Sequence, residues 1–261
     1  MASSLLVKMR KINKILHWPS NQQIDFSELC KVLGKILDAN VYVLGLKGNL
    51  IGFSLAEGYN CTIMEEEVLE QKNFPKHFNQ DLMDIEETEV TSTNHVVGCV
   101  FDDSINCPYE TRFTVIIPIN GGGDRLGSLI LTRFDREFAE DDVVLGEHSA
   151  TVVALEILHS KSQEMEEEAR KKAVVQMAIG TLSYSELEAM EHIFRELNGK
   201  EGLLIASKIA DKAGITRSVI VNALRKFESA GVIESRSLGM KGTFIKILND
   251  KLIDELEKYR S

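Results

Sequence analysis

Two arginines and several short polar side chains recur at helical spacing between residues 216 and 225. Guanidinium groups bind phosphates and guanine edges, and hydroxyl and amide side chains bind phosphates or other bases. When such residues share one face of a helix, they match the recognition helix of a DNA-binding protein. The residues that we expect on this face are Thr216, Arg217, Ser218, Val221, Asn222 and Arg225.

The residues around this face predict a helix-turn-helix. Ala210 is small enough for two helices to cross closely, and Gly214 can adopt the positive φ of a sharp turn. Thr216 is expected to cap the second helix, its side-chain oxygen accepting a backbone N–H of the first turn. The apolar residues expected between the two helices are Ile209, Ala213, Ile215, Ile220 and Ala223.

A basic hairpin is predicted after the helix-turn-helix. Residues 231–234 and 243–248 are typical of two short strands, and the loop between them contains glycines, Arg236 and Lys241. These two side chains are expected to reach phosphates or a neighbouring groove. The segment is therefore expected to fold as a winged helix-turn-helix.

The charge of the chain is unevenly distributed. The whole chain has a formal net charge of -10, but residues 203–248 contain eight lysines and arginines against three acidic residues. Because phosphate binding needs a local excess of positive charge, an acidic protein can still bind DNA through this segment. Just before it, Ser183 and Glu186 have the spacing of a capping box that begins a helix.

The N-terminal half is predicted to be an antiparallel sheet with helices packed on it, of the GAF or PAS sensor type. Residues 121–124 are expected to form the turn of a hairpin. The predicted helices are 5–16, 25–37, 64–71 and 76–83, and the predicted strands are 40–44, 50–54, 95–101, 113–120 and 125–134.

A long helix is predicted to join the two halves. Helical periodicity begins near residue 140, and Glu167 and Glu168 stand four residues before Lys171 and Lys172, as in an exposed helix. The predicted fold class is α+β, with an N-terminal GAF-like sensor domain, a long linker helix and a C-terminal winged helix-turn-helix. The predicted boundaries of these three parts are 1–139, 140–182 and 183–261.

Several classes of protein are excluded by missing sequence patterns. No apolar run is long enough to span a bilayer and no signal-peptide layout is present, so we expect a cytoplasmic protein without membrane contact. Without a phosphate-binding loop, a nucleophile elbow or metal-spaced histidines, neither an enzyme nor a metal site is expected. The cysteines form no Cys-x-x-Cys pair and are expected to be free thiols. They are Cys30, Cys61, Cys99 and Cys107.

A family resemblance rests on five segments of the sequence, which are 118–127, 150–153, 172–177, 215–225 and 230–243. They resemble the CodY family, the global transcriptional regulators of low-GC Gram-positive bacteria, and the resemblance extends over the whole chain. It implies a GAF domain that binds isoleucine, leucine or valine, GTP as a second effector, and no further cofactor. It also implies a homodimer, with a tetramer as the alternative, that represses genes at AT-rich pseudo-palindromes in double-stranded DNA.

The resemblance implies a set of residues for the amino-acid pocket. The backbone of residues 96–101 is expected to hold the amino and carboxylate groups of the ligand. Bacillus-type members have an arginine for that carboxylate where this chain has Thr62 or Ile63, so backbone N–H groups or another residue must bind it. The residues matched to the pocket are Met64, Phe74, Pro75, Val97, Cys99 and Phe101.

The resemblance also implies positions for GTP and DNA contacts. Arg217 and Ser218 fall on family positions tied to DNA binding. In the segment 45–49 the chain lacks two arginines and a lysine of the family pattern and keeps Lys47. The positions matched to GTP contacts are Lys47, Asn49, Glu156 and Lys161.

Three functions are compatible with the sequence. The first is a repressor whose affinity for its operators is raised by branched-chain amino acids and GTP. The second is a winged-helix regulator whose sensor domain responds to another metabolite or to redox state. The third is a nucleotide-binding regulator or hydrolase, against which the missing phosphate-binding loop argues.

Overall fold

The computed structural model describes residues 4–14, 25–94, 96, 98–101, 105–197 and 199–259. The chain divides into two compact units, Met1–Lys161 and Ser162–Ser261. Each unit combines helices with an antiparallel sheet, which confirms the predicted α+β class. The domain boundaries given above stay predictions. None of the helices in the described ranges is long and apolar enough to cross a membrane.

The first unit is built on a five-stranded antiparallel sheet. Its strands are β1 (Asn40–Gly45), β2 (Leu50–Ser54), β3 (Glu89–Asn94), β4 (Thr111–Gly121) and β5 (Asp124–Arg133), arranged in the order β2-β1-β5-β4-β3. Because successive side chains alternate between the faces of a sheet, β1 contributes Val41 and Val43 to one core and Tyr42 and Leu44 to another. The sheet is therefore covered on both faces.

Helices cover the two faces of this sheet. They are α1 (Leu5–Asn13), α2 (Phe26–Leu37), a π-helical turn (Met64–Leu69), α3 (Lys76–Asp84) and the first half of α4 (Glu140–Gly180). The α1, α2 and α4 segments pack around Leu33, Val115 and Val153 on one face. The π-helical turn and α3 pack around Phe74 and Leu82 on the other.

A buried arginine joins three of these elements. Arg133, at the end of β5, is 4% exposed, and its Nη1 lies 2.9 Å from Oδ2 of Asp142 in the first turn of α4. The same guanidinium donates to the carbonyl oxygens of Leu37 and Asp38 at the end of α2. It also lies 4.2 Å from the ring centroid of Phe138. The buried charge is thus paired and hydrogen-bonded, the condition under which burial is tolerated.

One predicted strand of the first unit is wrong. The strand expected at 95–101 is found at Glu89–Asn94, and the described residues of 95–101 belong to no strand. Asn94 pairs with Thr111, the first residue of β4, so the chain beyond Asn94 has passed the end of its partner strand. The other predicted strands and the 121–124 turn are confirmed within one or two residues. The predicted α1 ends earlier, at Asn13, and residues 15 and 16 lie outside the described ranges.

The second unit contains the helix-turn-helix and a three-stranded antiparallel sheet in the order β6-β8-β7. Its helices after α4 are α5 (Tyr184–Leu197), α6 (Ala206–Ala213), α7 (Arg217–Ser229) and α8 (Leu252–Glu257), and its strands are β6 (Glu201–Leu204), β7 (Ile233–Ser237) and β8 (Thr243–Ile247). The sequence did not predict β6 or α8. The first wing strand extends to Ser237, so Arg236 lies on β7 and not in the loop as expected.

The second half of α4 is part of the core of the second unit. Val175, Ala178 and Ile179 are buried there among residues of α5 and α7. Polar contacts hold the same segment, since Gln176 Nε2 donates to Glu255 Oε2 at 2.7 Å and Asn249 Nδ2 donates to the carbonyl oxygen of Lys171 at 2.9 Å. The helix therefore supplies core residues to both units.

Candidate effector cavity and DNA-binding face

A cavity of about 160 Å³ lies in the first unit, on the face of the sheet covered by the π-helical turn and α3. Its floor is formed by alternate residues of the two longest strands. On β4 these are Arg112, Thr114 and Ile116, and on β5 and just beyond it they are Ile130, Thr132 and Phe134. The intervening residues of β4, such as Val115 and Ile117, lie in the core on the other face of the sheet. Successive side chains of β4 therefore point alternately into the cavity and into that core.

The sequence-predicted pocket residues are placed as follows. Met64, Phe74, Cys99 and Phe101 all line this cavity. Pro75 is not among the described lining residues, and it occupies the N-cap position of α3. Val97 lies outside the described ranges. That these residues contact a ligand stays a prediction.

Aromatic rings form most of the wall. Phe101 lies edge-on to both Phe74 and Phe78, with ring centroids 5.5 Å and 5.3 Å apart. Tyr109 stacks on Phe134 at 4.0 Å, and its hydroxyl accepts the backbone N–H of Asn60 at 2.8 Å. These contacts make the wall mainly aromatic and apolar.

The polar groups of the wall are mostly neutral. Burial raises the pKa of the Tyr42 and Tyr59 phenols well above their usual value, so both hydroxyls stay protonated near neutral pH. The described lining contains no aspartate or glutamate, and Arg112 is its one charged side chain. Sequence reasoning missed Arg112. The signal that could have found it is the two-residue spacing of Arg112, Thr114 and Ile116, which puts all three on one face of β4.

Cysteines are concentrated at the cavity. Cys61, Cys99 and Cys107 line it, and all four cysteines are free thiols. Cys30 is separate, because it belongs to α2 and is buried in the core on the opposite face of the sheet, where burial raises the pKa of its thiol to about 12.

The positions matched to GTP contacts do not line the cavity. Lys47 and Asn49 are exposed in the turn between β1 and β2. Glu156 and Lys161 lie on α4, where Glu156 is buried, and this burial raises the pKa of its carboxyl group. Their role in GTP binding stays a prediction.

The helix-turn-helix has the predicted geometry, with one exception. Gly214 ends α6 with a φ of 68°, and the chain then enters α7 through Thr216 in an extended conformation. Thr216 occupies the N-cap position, but its side chain makes no capping bond, so that expectation is wrong. Its Oγ1 instead lies 2.8 Å from Oγ of Ser218, and the two exposed hydroxyls bind each other.

The outer face of α7 is exposed as the sequence predicts. The inner residues Ile220, Ala223 and Phe227 are buried. Arg236 on β7 and Lys241, in a 3-10 turn between the wing strands, are also exposed. The exposed residues of the outer face are Thr216, Arg217, Ser218, Asn222 and Arg225, with Val221 half-buried beside them.

Intramolecular ion pairs occupy part of the basic charge in this unit. Lys212 Nζ lies 2.9 Å from Glu196 Oε2, and Lys226 Nζ lies 2.6 Å from Glu186 Oε2. In the part of the chain that the structure describes, the basic residues of the outer face and wing make no ion pair. On the outer face and wing, the positive charge available to phosphates therefore lies on Arg217, Arg225, Arg236 and Lys241.

A capping box ties α7 to the start of α5. The backbone N–H of Ser183 donates to Glu186 Oε2 at 2.7 Å, and Ser183 Oγ accepts the N–H of Glu186 at 3.4 Å. Lys226 of α7 donates to the same carboxylate and to the carbonyl oxygen of Thr181 at 2.8 Å. The recognition helix is thus fixed to the residues that follow α4.

The chain combines a sheet-and-helix unit that contains an apolar cavity with a winged helix-turn-helix. This combination defines a ligand-binding transcriptional regulator. A model of the CodY GAF-like domain matches residues 4–181, and a model of the CodY helix-turn-helix domain matches residues 200–260. The chain belongs to the CodY family, as the sequence predicted.

Two relatives that match over almost the whole chain support the same assignment. Proteins named global transcriptional regulator CodY are 58% identical in Clostridium kluyveri and 56% identical in Clostridium tetani, over 99% of this chain and 100% of each relative. Among solved structures, the cofactor-binding GAF domain of the nutrient sensor CodY from Clostridium difficile is 36% identical. That match covers 60% of this chain and 99% of the other, with a TM-score of 0.41.

The capping box gives a prediction about stability. The hydrogen bond from Lys226, together with that from Ser183, lowers the pKa of the Glu186 carboxyl group. The ionised form therefore stabilises the fold above the unfolded pKa of roughly 4.3, and this contribution is lost as the pH falls through the lower folded pKa. Glu186→Gln should lower the free energy of unfolding at pH 7 by roughly 1 kcal/mol.

Urea unfolding of both proteins between pH 3 and 7 measures this effect. The difference between wild type and Glu186→Gln should shrink toward pH 3. Glu201→Gln, at an exposed position on β6, is the matched control and should leave the curve unchanged. A difference that is constant over this pH range would contradict the role of the ionised carboxylate.

Proposed function

We propose that this protein is a transcriptional repressor whose affinity for its operators rises when isoleucine, leucine or valine binds the cavity of the first unit. The observation that carries the proposal is the apolar cavity of about 160 Å³ on the sheet of a CodY-family chain. GTP is proposed as a second effector, through the residues named for it above.

The size and polarity of the cavity support a branched aliphatic ligand. An apolar protein cavity of roughly 150 Å³ admits a benzene molecule, and the side chain of isoleucine or leucine is no larger. Met64, Phe74 and Ile130 offer apolar contacts to such a side chain. An acidic or basic side chain in the same place would lose its hydration without gaining a partner.

The exposed face of α7 and the wing support the DNA-binding half of the proposal. Arg217, Ser218 and Asn222, on the first two turns of α7, would contact bases or phosphates. Arg225, further along α7, and the wing residues Arg236 and Lys241 would neutralise phosphates. In a homodimer, two such helices would bind successive major grooves about 34 Å apart, which suits a pseudo-palindromic operator. That this operator is AT-rich is proposed from the family resemblance alone. A tetramer is the alternative assembly.

Effector binding and DNA binding would be linked through a population shift. An effector that binds one state of the sensor more tightly stabilises that state in proportion to the difference in affinity. The helix α4 contributes core residues such as Val153 to the first unit and Val175 to the second. It is therefore the element through which we expect the state of the cavity to reach the DNA-binding face.

Titration of operator binding with effector tests the proposal. We expect millimolar L-isoleucine to lower the Kd for an AT-rich inverted repeat, selected from a random pool on this protein, by about tenfold or more. Ile116→Trp should abolish the response by filling the cavity, whereas Val90→Trp, at an exposed position of β3, should keep it. An unchanged Kd for wild type at millimolar isoleucine, leucine and valine would refute the amino-acid proposal.

Replacing one recognition-helix arginine tests the DNA contacts. Arg217→Ala should weaken operator binding by roughly 10- to 100-fold. If the arginine contacts a phosphate, the slope of log K against log salt should also fall by about one. Arg195→Ala, an exposed arginine of α5, is the matched control and should bind as wild type. Fluorescence anisotropy at several salt concentrations measures both quantities, and operator affinity retained by Arg217→Ala would contradict the assignment.

A second candidate function is redox sensing, favoured by the three thiols that line the cavity. Peroxide oxidises a thiolate to a sulfenic acid with loss of hydroxide or water, which would place a polar group in an apolar site. The residues concerned are Cys61, Cys99 and Cys107.

Peroxide treatment separates this candidate from the first. If the cavity thiols sense oxidants, hydrogen peroxide should change the operator affinity of wild type by several-fold and leave the triple serine variant unaffected. Cys30→Ala removes a buried thiol outside the cavity and should respond as wild type. Equal operator affinity of wild type before and after peroxide, measured by anisotropy, would reject redox sensing.

A further inference from the structure

The floor of the cavity changes in polarity along β4. From the middle of the strand toward its start, the residues that face the cavity are Ile116, Thr114 and Arg112. On the neighbouring strand Ile130 pairs with Ile116, and Thr132 pairs with Thr114. One end of the floor is therefore apolar, and the other carries two hydroxyls and a guanidinium beside the ring of Phe134.

The dimensions of this gradient suit a single amino acid. Thr114 and Ile116 are two residues apart on one strand, which is about 7 Å. A ligand whose branched side chain lies over Ile116 and Ile130 would therefore bring its polar groups to the hydroxyl end. The long side chain of Arg112 begins one further pair of residues along and can reach back over Thr114.

Arg112 differs from the two other arginines on this part of the sheet. Arg125 donates to the carbonyl oxygens of Ile85, Leu82 and Gly127 and to Ser128 Oγ. Arg133 is likewise saturated by Asp142 and backbone carbonyls. The guanidinium N–H groups of both arginines are therefore used in hydrogen bonds that hold the fold together.

The guanidinium of Arg112 is in a different situation. Among the described residues it makes neither an ion pair nor a side-chain hydrogen bond, although it is half-buried at the edge of an apolar cavity. The described lining contains no carboxylate that could pair with it. A partly desolvated charge without a partner is unfavourable, and an anionic ligand group would remove that penalty.

We infer that Arg112 binds the carboxylate of the effector in this cavity, which rests on the proposed function above. Two parallel N–H···O bonds from the guanidinium can hold a carboxylate in a fixed orientation. The ligand's ammonium group, for which the described lining offers no carboxylate, would be left to hydroxyls and backbone carbonyls. Arg112 is thus a specificity residue that distinguishes a free carboxylate from an amide or an alcohol.

Calorimetric titration of the full-length chain with L-isoleucine and with L-isoleucinamide tests this inference, because the amide keeps the side chain and lacks the carboxylate charge. Wild type should bind isoleucine at least about tenfold more tightly than the amide. Arg112→Gln should weaken isoleucine binding by at least about tenfold and change amide binding by less than about twofold. Arg112→Lys should restore part of the preference.

Arg136→Gln is the matched control, because this exposed arginine of the same unit does not line the cavity. It should bind both ligands as wild type does. Equal affinity of wild type and Arg112→Gln for isoleucine would overturn the inference and leave the proposed function intact. If Arg112→Gln weakens the binding of isoleucine and of isoleucinamide equally, the inference is also overturned, because the residue would then support the cavity and not bind the carboxylate. If wild type binds none of the three branched-chain amino acids, the proposed function fails and the inference falls with it.

Discussion

The interaction on which the first unit depends is the buried contact between Arg133 and Asp142. It joins the end of β5 to the first turn of α4, and the same guanidinium holds the carbonyl end of α2. Because side chains alternate along β5, the residues on either side of Arg133 point the other way, and Thr132 and Phe134 line the cavity. One strand end therefore anchors the helices on one face of the sheet and shapes the binding site on the other.

Periodicity predicted most of this fold, because its long elements bury one face. Helices α2 and α4, the β1–β2 and β4–β5 hairpins and the helix-turn-helix all have apolar residues at the spacing that their burial requires. The missed elements, β6 and α8, are four and six residues long and are held by tertiary contacts, such as the burial of Leu252 and Leu256. The strand predicted at 95–101 and found at Glu89–Asn94 was also placed by a tertiary contact. Its position is set by pairing with β4, whose first residue pairs with Asn94.

The candidate sites were predictable to different degrees for a physical reason. The DNA-binding face occupies one short helix and a hairpin, so local spacing indicates which side chains are exposed. The cavity is assembled from residues far apart in the sequence, between Tyr42 and Phe134. Local spacing along β4 places Arg112 on the same face as Thr114 and Ile116, but it cannot reveal that Met64 lies against that face. In the same way, a count of basic residues could not reveal that Glu186 and Glu196 neutralise Lys226 and Lys212.

The alternation along β4 has a consequence for how such a sensor can change over evolution. Its odd-numbered residues, such as Val115 and Ile117, fill the core beneath α4, and its even-numbered residues, such as Thr114 and Ile116, form the floor of the cavity. Substitutions at even positions can alter which molecule fits without creating a void in the core. Ligand preference and folding stability are thereby encoded in interleaved positions of one strand, and each can be selected with little effect on the other.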